Sequence, residues 1–197
     1  FFILLIAFIN SPGQVNPLNV EIVRDKWGVP HIFGKTDAET TYGLAWATCE
    51  DDFATVQRML LAVKGRLGEV DGKNGAILDF VSFIIAAEEV TDNLYEKSFS
   101  ASYKKLIEAY AQGLNEYAAA HPEEALRPGL FPVTVKDIVA QYVLTNTFLT
   151  NVYLDFQKIF QRYIRNYEIN IPSGSNAFAL SSTRTKEGKT YLAINSH

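Results

Sequence analysis

Gly174, Ser175, Asn176, Ala177, Phe178, Ala179, Leu180, Ser181, Ser182, Thr183, Arg184 and Thr185 form the stretch on which the reading of this chain turns. From about Asn176 to Ser182 the side chains follow a period of two, the signature of a strand whose sides face different surroundings. A turn over residues 185–188 ends at Gly188, and a second extended run over 189–195 leads to Asn195, Ser196 and His197. This stretch predicts a β hairpin with Ser175 at its start, directly behind a glycine.

Upstream the grammar differs. Residues 20–24 and 29–33 are two short extended pieces. Pro30 keeps Val29 out of helical space, and Gly28 suits a turn that needs positive φ, so a two-stranded ribbon is expected. Thr36 and Glu39 have the spacing of a capping box. Tyr42, Trp46, Cys49, Phe53, Val56, Leu60, Val63 and Leu67 then recur at steps of four and three, while Glu50, Asp51, Gln57, Arg58 and Lys64 fall off that seam. Residues 72–93 stay open between helix and buried loop. Ser98 or Ser100 caps a second helix carrying Leu106, Ile107, Tyr110, Leu114, Tyr117 and Ala118, ended by His121 and Pro122. Thr134 to Asp137 resembles another cap. Beyond it Ile138, Tyr142, Leu149, Val152, Phe156, Phe160, Tyr163 and Tyr167 predict one long third helix. Helices up to about Asn170 followed by a hairpin make the fold class α+β.

With 197 residues, 48% hydrophobic and 13% aromatic, the chain has enough apolar surface for a well-buried fold. A net charge of -4, with acids and bases interleaved, offers no basic stripe for phosphates and excludes nucleic acid as a partner. The nine apolar residues 1–9 fall short of the about 20 that span a bilayer, so no stable membrane anchor is expected. They match the apolar core of a secretory signal, which makes 1–17 a truncated signal peptide and leader; a buried strand is the alternative. The single Cys49 excludes an internal disulfide and a cysteine zinc cluster, and its place on an apolar stripe predicts a buried, inert thiol.

A serine hydroxyl is a weak nucleophile that needs a base within reach. An α-amino group titrates at about 7.7 to 8.0, so a serine at a chain's own N-terminus carries its base with it. Breaking the bond between Gly174 and Ser175 creates that pair, and Gly174, lacking Cβ, permits close approach of the hydroxyl to its carbonyl. A Ser-His-Asp triad with His197 is the competing mechanism, but its serine belongs in an elbow such as Gly-x-Ser-x-Gly, which does not surround Ser175. Among the other polar groups, His31 is read as structural, with no carboxylate partner or metal-ligand spacing nearby. His121 is read as a helix C-cap, and Glu50, Asp51 and Asp52 as a solvated or ion-paired face. Arg24 and Asp25 suggest an ion-pair network in which Arg184 is a candidate partner.

Ser175, Asn176, Phe178, Ser182, Arg184, Gly188, Asn195 and His197 resemble the β-chain start of the penicillin acylase family of N-terminal nucleophile hydrolases, which includes acyl-homoserine lactone acylases. Arg24, Asp25, Gly28, Val29, Pro30, His31 and Ile32, then Tyr42, Gly43, Ala47, Glu50 and Asp51, and also Gly65 to Glu69, resemble its α-chain opening. The resemblance implies a mostly helical α-chain region over 18–170, a linker and cleavage region over 171–174, and a β-chain start over 175–197, the first hairpin of an αββα sandwich. It implies a precursor, exported to the bacterial periplasm or secreted, that cuts itself between Gly174 and Ser175. The partner is then its own β-chain, and the substrate a small N-acyl amide such as an acyl-homoserine lactone or a penicillin-like compound. In this picture Ser175 attacks, and His197 supports the nucleophile or the cleavage step. Thr147, Phe148 and Phe156 fall in the acyl-pocket region, although the aromatic run they belong to also reads as plain core. No cofactor is required; calcium is compatible, with Asp155 as the nearest acidic ligand. The oxyanion donors of the family lie downstream of this chain, and losing one such donor costs about 2.7 to 4 kcal/mol of transition-state stabilisation, so the chain alone is expected to be inactive. The rival reading is a secreted, non-catalytic helical binding domain with a C-terminal hairpin.

Overall fold

The computed structural model describes residues 14–150, 152–163 and 175–196. They divide into two compact units at the Thr147–Phe148 bond. In the first, Asn16 caps a short 3-10 turn, Pro17–Asn19, and the antiparallel ribbon of β1 (Glu21–Arg24) and β2 (Pro30–Phe33) follows, with Ile22 opposite Ile32. Its turn is held by Asp25, whose Oδ1 accepts from the Trp27 and Val29 N–H groups. One face of the ribbon seats Ile32 and Val20 against Gly43 of α1 (Asp37–Val63).

The start of α1 is the expected capping box: Thr36 Oγ1 accepts from the Glu39 N–H, and the Glu39 carboxylate takes the Thr36 and Lys35 N–H groups. Asn19 Nδ2 donates to the same carboxylate at 2.9 Å, which ties the approach to the ribbon to the helix start. The helix is interrupted at Asp52 (φ -158°, ψ 72°), whose carboxylate accepts from the Thr55 N–H and hydroxyl and so caps the second stretch. Gln57 departs from expectation. It falls off the apolar seam in sequence, yet it is fully buried, because its amide serves a neighbouring chain segment.

Residues 72–93 resolve as helix. α2 (Gly68–Ile84) reverses at Gly72 (φ 59°, ψ -133°), a conformation that costs a residue with a Cβ. After the reversal, Asp79 accepts the Leu67 and Gly68 N–H groups, both at 2.8 Å. α3 (Ala87–Ser98) begins after Ala86 in the left-handed region (φ 53°). α4 (Ala101–Ala120) is capped by Ser100 and ends at His121, whose Nδ1 lies 3.0 Å from the Tyr117 carbonyl. α1 and α4 pack closely at Gly113, where an added Cβ would meet the Tyr42 carbonyl oxygen at 2.7 Å and Ala45 Cβ at 2.8 Å. Leu60, Leu61, Val81, Leu114, Leu130 and Leu144 supply the largest apolar side chains of the core.

Three side-chain amides imitate β pairing, each exchanging bonds with the backbone of a passing segment. Gln112 accepts from the Val15 N–H and donates to the Val15 carbonyl, both at 2.9 Å. Gln57 donates to the Glu124 carbonyl and accepts from the Leu126 N–H. Asn115 donates to the Val133 carbonyl at 2.9 Å and accepts from the Val133 N–H at 2.7 Å. Irregular backbone is thereby satisfied against the helices without a sheet.

The long third helix is two helices, α5 (Val135–Leu149) and α6 (Val152–Tyr163). Near the break, Asn146 Nδ2 donates to the Tyr142 carbonyl and Thr147 Oγ1 to the Val143 carbonyl; side chains that compete for helix carbonyls weaken continuation. Tyr167 lies outside the described residues. In the second unit, β3 (Ser175–Leu180) and β4 (Tyr191–Ser196) form the expected antiparallel hairpin. A 3-10 turn, Ser182–Arg184, stands where the expected strand would have ended. Mostly helical with two small hairpins, the chain is α+β.

Candidate active site

Ser175 is the first residue of β3, with Ser196 opposite it and Asn176 opposite Asn195. Gly174, His197 and residues 1–13, including the expected signal segment, lie outside the described residues. The hairpin's far end is held by Thr185, whose Oγ1 donates to the Lys189 carbonyl at 2.7 Å and accepts its N–H at 2.9 Å, with Gly188 at φ 65°. Strand alternation puts Phe178 and Leu180 on one face and Ala177 and Ala179 on the other; Phe178 and Leu192 are both exposed. A two-stranded hairpin with apolar groups on both faces needs further layers for stability.

Thr147 and Phe148 sit in the last turn of α5 and are half-buried, and Phe156 on α6 is buried. Asp155 is exposed and paired with Lys158 at 2.9 Å; among the described residues no group of three or more His, Cys, Asp or Glu side chains could hold a metal ion.

A polar cluster anchors the start of α5. Thr134 and Asp137 form a reciprocal cap: Thr134 N–H and Oγ1 donate to Asp137 Oδ2 at 2.7 and 3.0 Å, and Thr134 Oγ1 accepts the Asp137 N–H. Lys64, the residue that closes α1, donates to Asp137 Oδ1 at 2.7 Å. Burial alone would raise the Asp137 pKa, but the Lys64 ammonium and the Thr134 donors outweigh it and hold the carboxyl below its usual range. Sequence reading missed this cluster and the amide pairs, although the Thr134-to-Asp137 cap was visible in it.

Arg24 meets Glu50 at 2.9 Å and Asp51 at 2.7 Å, so the acidic face of α1 is ion-paired and the ribbon is locked to α1. His31 requires a correction, since its Nε2 lies 3.6 Å from Asp25 Oδ2 and it does have a carboxylate neighbour. The antiparallel register, with Val23 opposite His31, brings residues six apart in sequence together. Cys49 is 1% exposed, and burial, followed by the Glu124 charge, pushes its thiol up to about 12.

The penicillin amidase family model matches residues 19–197, and this chain belongs to that family. It is 26% identical over 122 residues to penicillin acylase 2 proenzyme of Pseudomonas sp. (strain SE83), covering 62% of this chain and 15% of the relative. It is 22% identical to the acyl-homoserine lactone acylase PvdQ of Pseudomonas fluorescens (strain Pf0-1), over 90% of this chain and 27% of the relative. The chain thus spans only about a sixth to a quarter of these relatives' length. In structure it resembles a thermostable penicillin G acylase from Alcaligenes faecalis with a TM-score of 0.51 and 19% identity, covering 79% of this chain and 95% of that one; at that identity the likeness is one of fold. No described helix is long and apolar enough to cross a membrane.

Proposed function

We propose that this chain is the region around the processing site of a self-cleaving amide hydrolase acting on N-acylated small molecules. In the precursor, the Ser175 hydroxyl attacks the Gly174 carbonyl; the peptide nitrogen leaves to become the Ser175 amine, and water hydrolyses the resulting ester to free the Gly174 carboxylate. In the processed enzyme, Ser175 Oγ attacks the substrate's acyl carbonyl while its own α-amine takes the hydroxyl proton and passes it to the leaving amine. Water then releases the acid from the acyl-enzyme. Thr147 and Phe148, with Phe156, are the proposed acyl contacts, His197 supports the nucleophile, and the cleaved pieces stay together as a heterodimer exported to the periplasm. Acyl-homoserine lactones are the favoured substrates, with penicillin-like amides next.

The observation that carries this reading is the family match over residues 19–197, a range that includes Ser175, with Ser175 opening a strand behind glycine. The test is the intact mass of the full-length precursor. Wild type splits before Ser175 and Ser175→Ala stays whole; a folded wild type that remains whole, or a Ser175→Ala variant that still splits there, overturns the reading. Activity on an acyl-homoserine lactone series should fall as pH drops below the amine's range of about 7.7 to 8.0, since the base is then protonated.

A further inference from the structure

We infer that Ser196 is a positioning residue for the Ser175 hydroxyl in self-cleavage, the step in which that serine has no base of its own. This rests on the proposed role of Ser175 as the nucleophile.

The register of the second hairpin singles Ser196 out. Ser175 opens β3 opposite Ser196, with Ala177 opposite Ile194 and Ala179 opposite Leu192. Residues directly opposed in an antiparallel pair share one face, and alternate positions along each strand return to it. Ser175, Ala177, Ala179, Leu192, Ile194 and Ser196 therefore belong to one face, while Asn176 and Asn195, one step on, belong to the other. Among the paired positions on the face of Ser175, only Ser196 is a residue type with a hydrogen-bonding side chain. Cβ atoms at directly opposed positions lie about 4.5 to 5.5 Å apart, a spacing at which hydroxyl-bearing residues bond across strands.

Self-cleavage and substrate turnover ask different things of the nucleophile. In the precursor the Ser175 nitrogen is an amide whose lone pair is delocalised into the carbonyl, so it cannot hold the hydroxyl proton before attack. As the bond from Ser175 Oγ to the Gly174 carbonyl carbon forms, the carbon–nitrogen bond breaks and the hydroxyl proton ends on the departing nitrogen. No other reactant enters this step, and water opens the ester afterwards. The rate then depends on how often the hydroxyl is held with a lone pair toward the carbonyl. A second serine can accept that hydroxyl's hydrogen bond, but it is no base at neutral pH, so Ser196 orients the hydroxyl without removing its proton. Once the bond is cut, the free α-amine, titrating at about 7.7 to 8.0, takes over as acceptor and the need for Ser196 falls away.

The test follows self-cleavage of the full-length precursor by intact mass over time in Ser196→Ala, Ser196→Thr and Ser181→Ala, and then kcat and KM of each processed enzyme on one acyl-homoserine lactone. Ser196→Ala should cleave about fivefold more slowly, the worth of one hydrogen bond, while kcat and KM of the enzyme that does form stay within about twofold of wild type. Ser196→Thr, which keeps the hydroxyl on a residue that suits a strand, should restore the wild-type cleavage rate. Ser181→Ala makes the same chemical change in the same hairpin, where the Ser181 hydroxyl lies 2.8 Å from that of Thr183, and should cleave like wild type. Cleavage of Ser196→Ala slowed by less than about twofold, an equal loss in kcat, no rescue by threonine, or an equal slowing in Ser181→Ala overturns the inference while the parent reading stands. A folded wild-type precursor that stays whole removes the parent reading and this inference with it.

Discussion

Replacing Lys64 by Met asks whether the Asp137 charge is truly withdrawn from water. Asp137 Oδ2 would keep its two Thr134 donors, but Oδ1 would lose its Lys64 partner at 2.7 Å. The Asp137 side chain is only 11% exposed, so water replaces the ammonium poorly. Stripping one partner from a buried pair costs about 3 to 5 kcal/mol. The lower end applies here, because Lys64 is 25% exposed and Oδ2 remains bonded, giving about 3 kcal/mol, or roughly a hundredfold in an equilibrium. Amide hydrogen exchange across α5 in the full-length protein reads that loss locally, as a roughly hundredfold drop in protection at neutral pH. Adding Asp137→Asn removes the stranded charge and should recover about half of the effect or more. The pH dependence has a definite sign. In the wild type the lowered carboxyl contributes stability that is full above about pH 4 and lost as pH falls through its folded value. In Lys64→Met the unpaired, buried carboxyl prefers its proton, so the gap to wild type closes as pH falls through about 4. Protection changed less than about threefold at neutral pH, or no recovery in the double variant, would refute the reasoning by showing the carboxylate to be hydrated.

Gly113→Ala should destabilise by about 1 to 3 kcal/mol and lower the thermal midpoint, since its new methyl would meet the Tyr42 carbonyl oxygen and Ala45 in the α1–α4 contact. Cys49 should resist thiol reagents at pH 8 in the folded protein and react fully after denaturation, because the thiol is 1% exposed and pushed up to about 12; rapid labelling of native protein would contradict the buried placement. Val15 is 6% exposed, with both backbone groups held by Gln112, so Gln112→Leu, which strips the partners from both, should destabilise by about 1 to 3 kcal/mol; an unchanged thermal midpoint would contradict the clamp.

The part of the candidate site visible in the sequence was the part built from neighbours along the chain. The Thr36–Glu39 box, the ribbon turn at Asp25 to Val29 and the period-two hairpin opening at Ser175 all involve residues within a few positions of one another, and their side-chain types announce the bonds they make. The open segment 72–93 failed for the opposite reason. Its first helix depends on Asp79 reaching back to the amides of Leu67 and Gly68, a partnership invisible to an amphipathic pattern. The long third helix was drawn through 150 because apolar spacing persists there, while Asn146 and Thr147 turn onto helix carbonyls and compete with the next turn.

By itself the sequence determined the two hairpins, the capped starts of α1, α4 and α5, and the serine-behind-glycine junction, all consequences of local backbone preference and period. Tertiary structure alone decided which polar residues are structural. Gln57 falls off the apolar seam in sequence, and no local pattern marks Asn115 or Gln112; each is a buried or half-buried clamp only because a segment from 18 to 97 residues away comes alongside. The physical reason is that an amide's donor and acceptor are the same in water and in the core. What changes is the partner, and the partner is supplied by the fold.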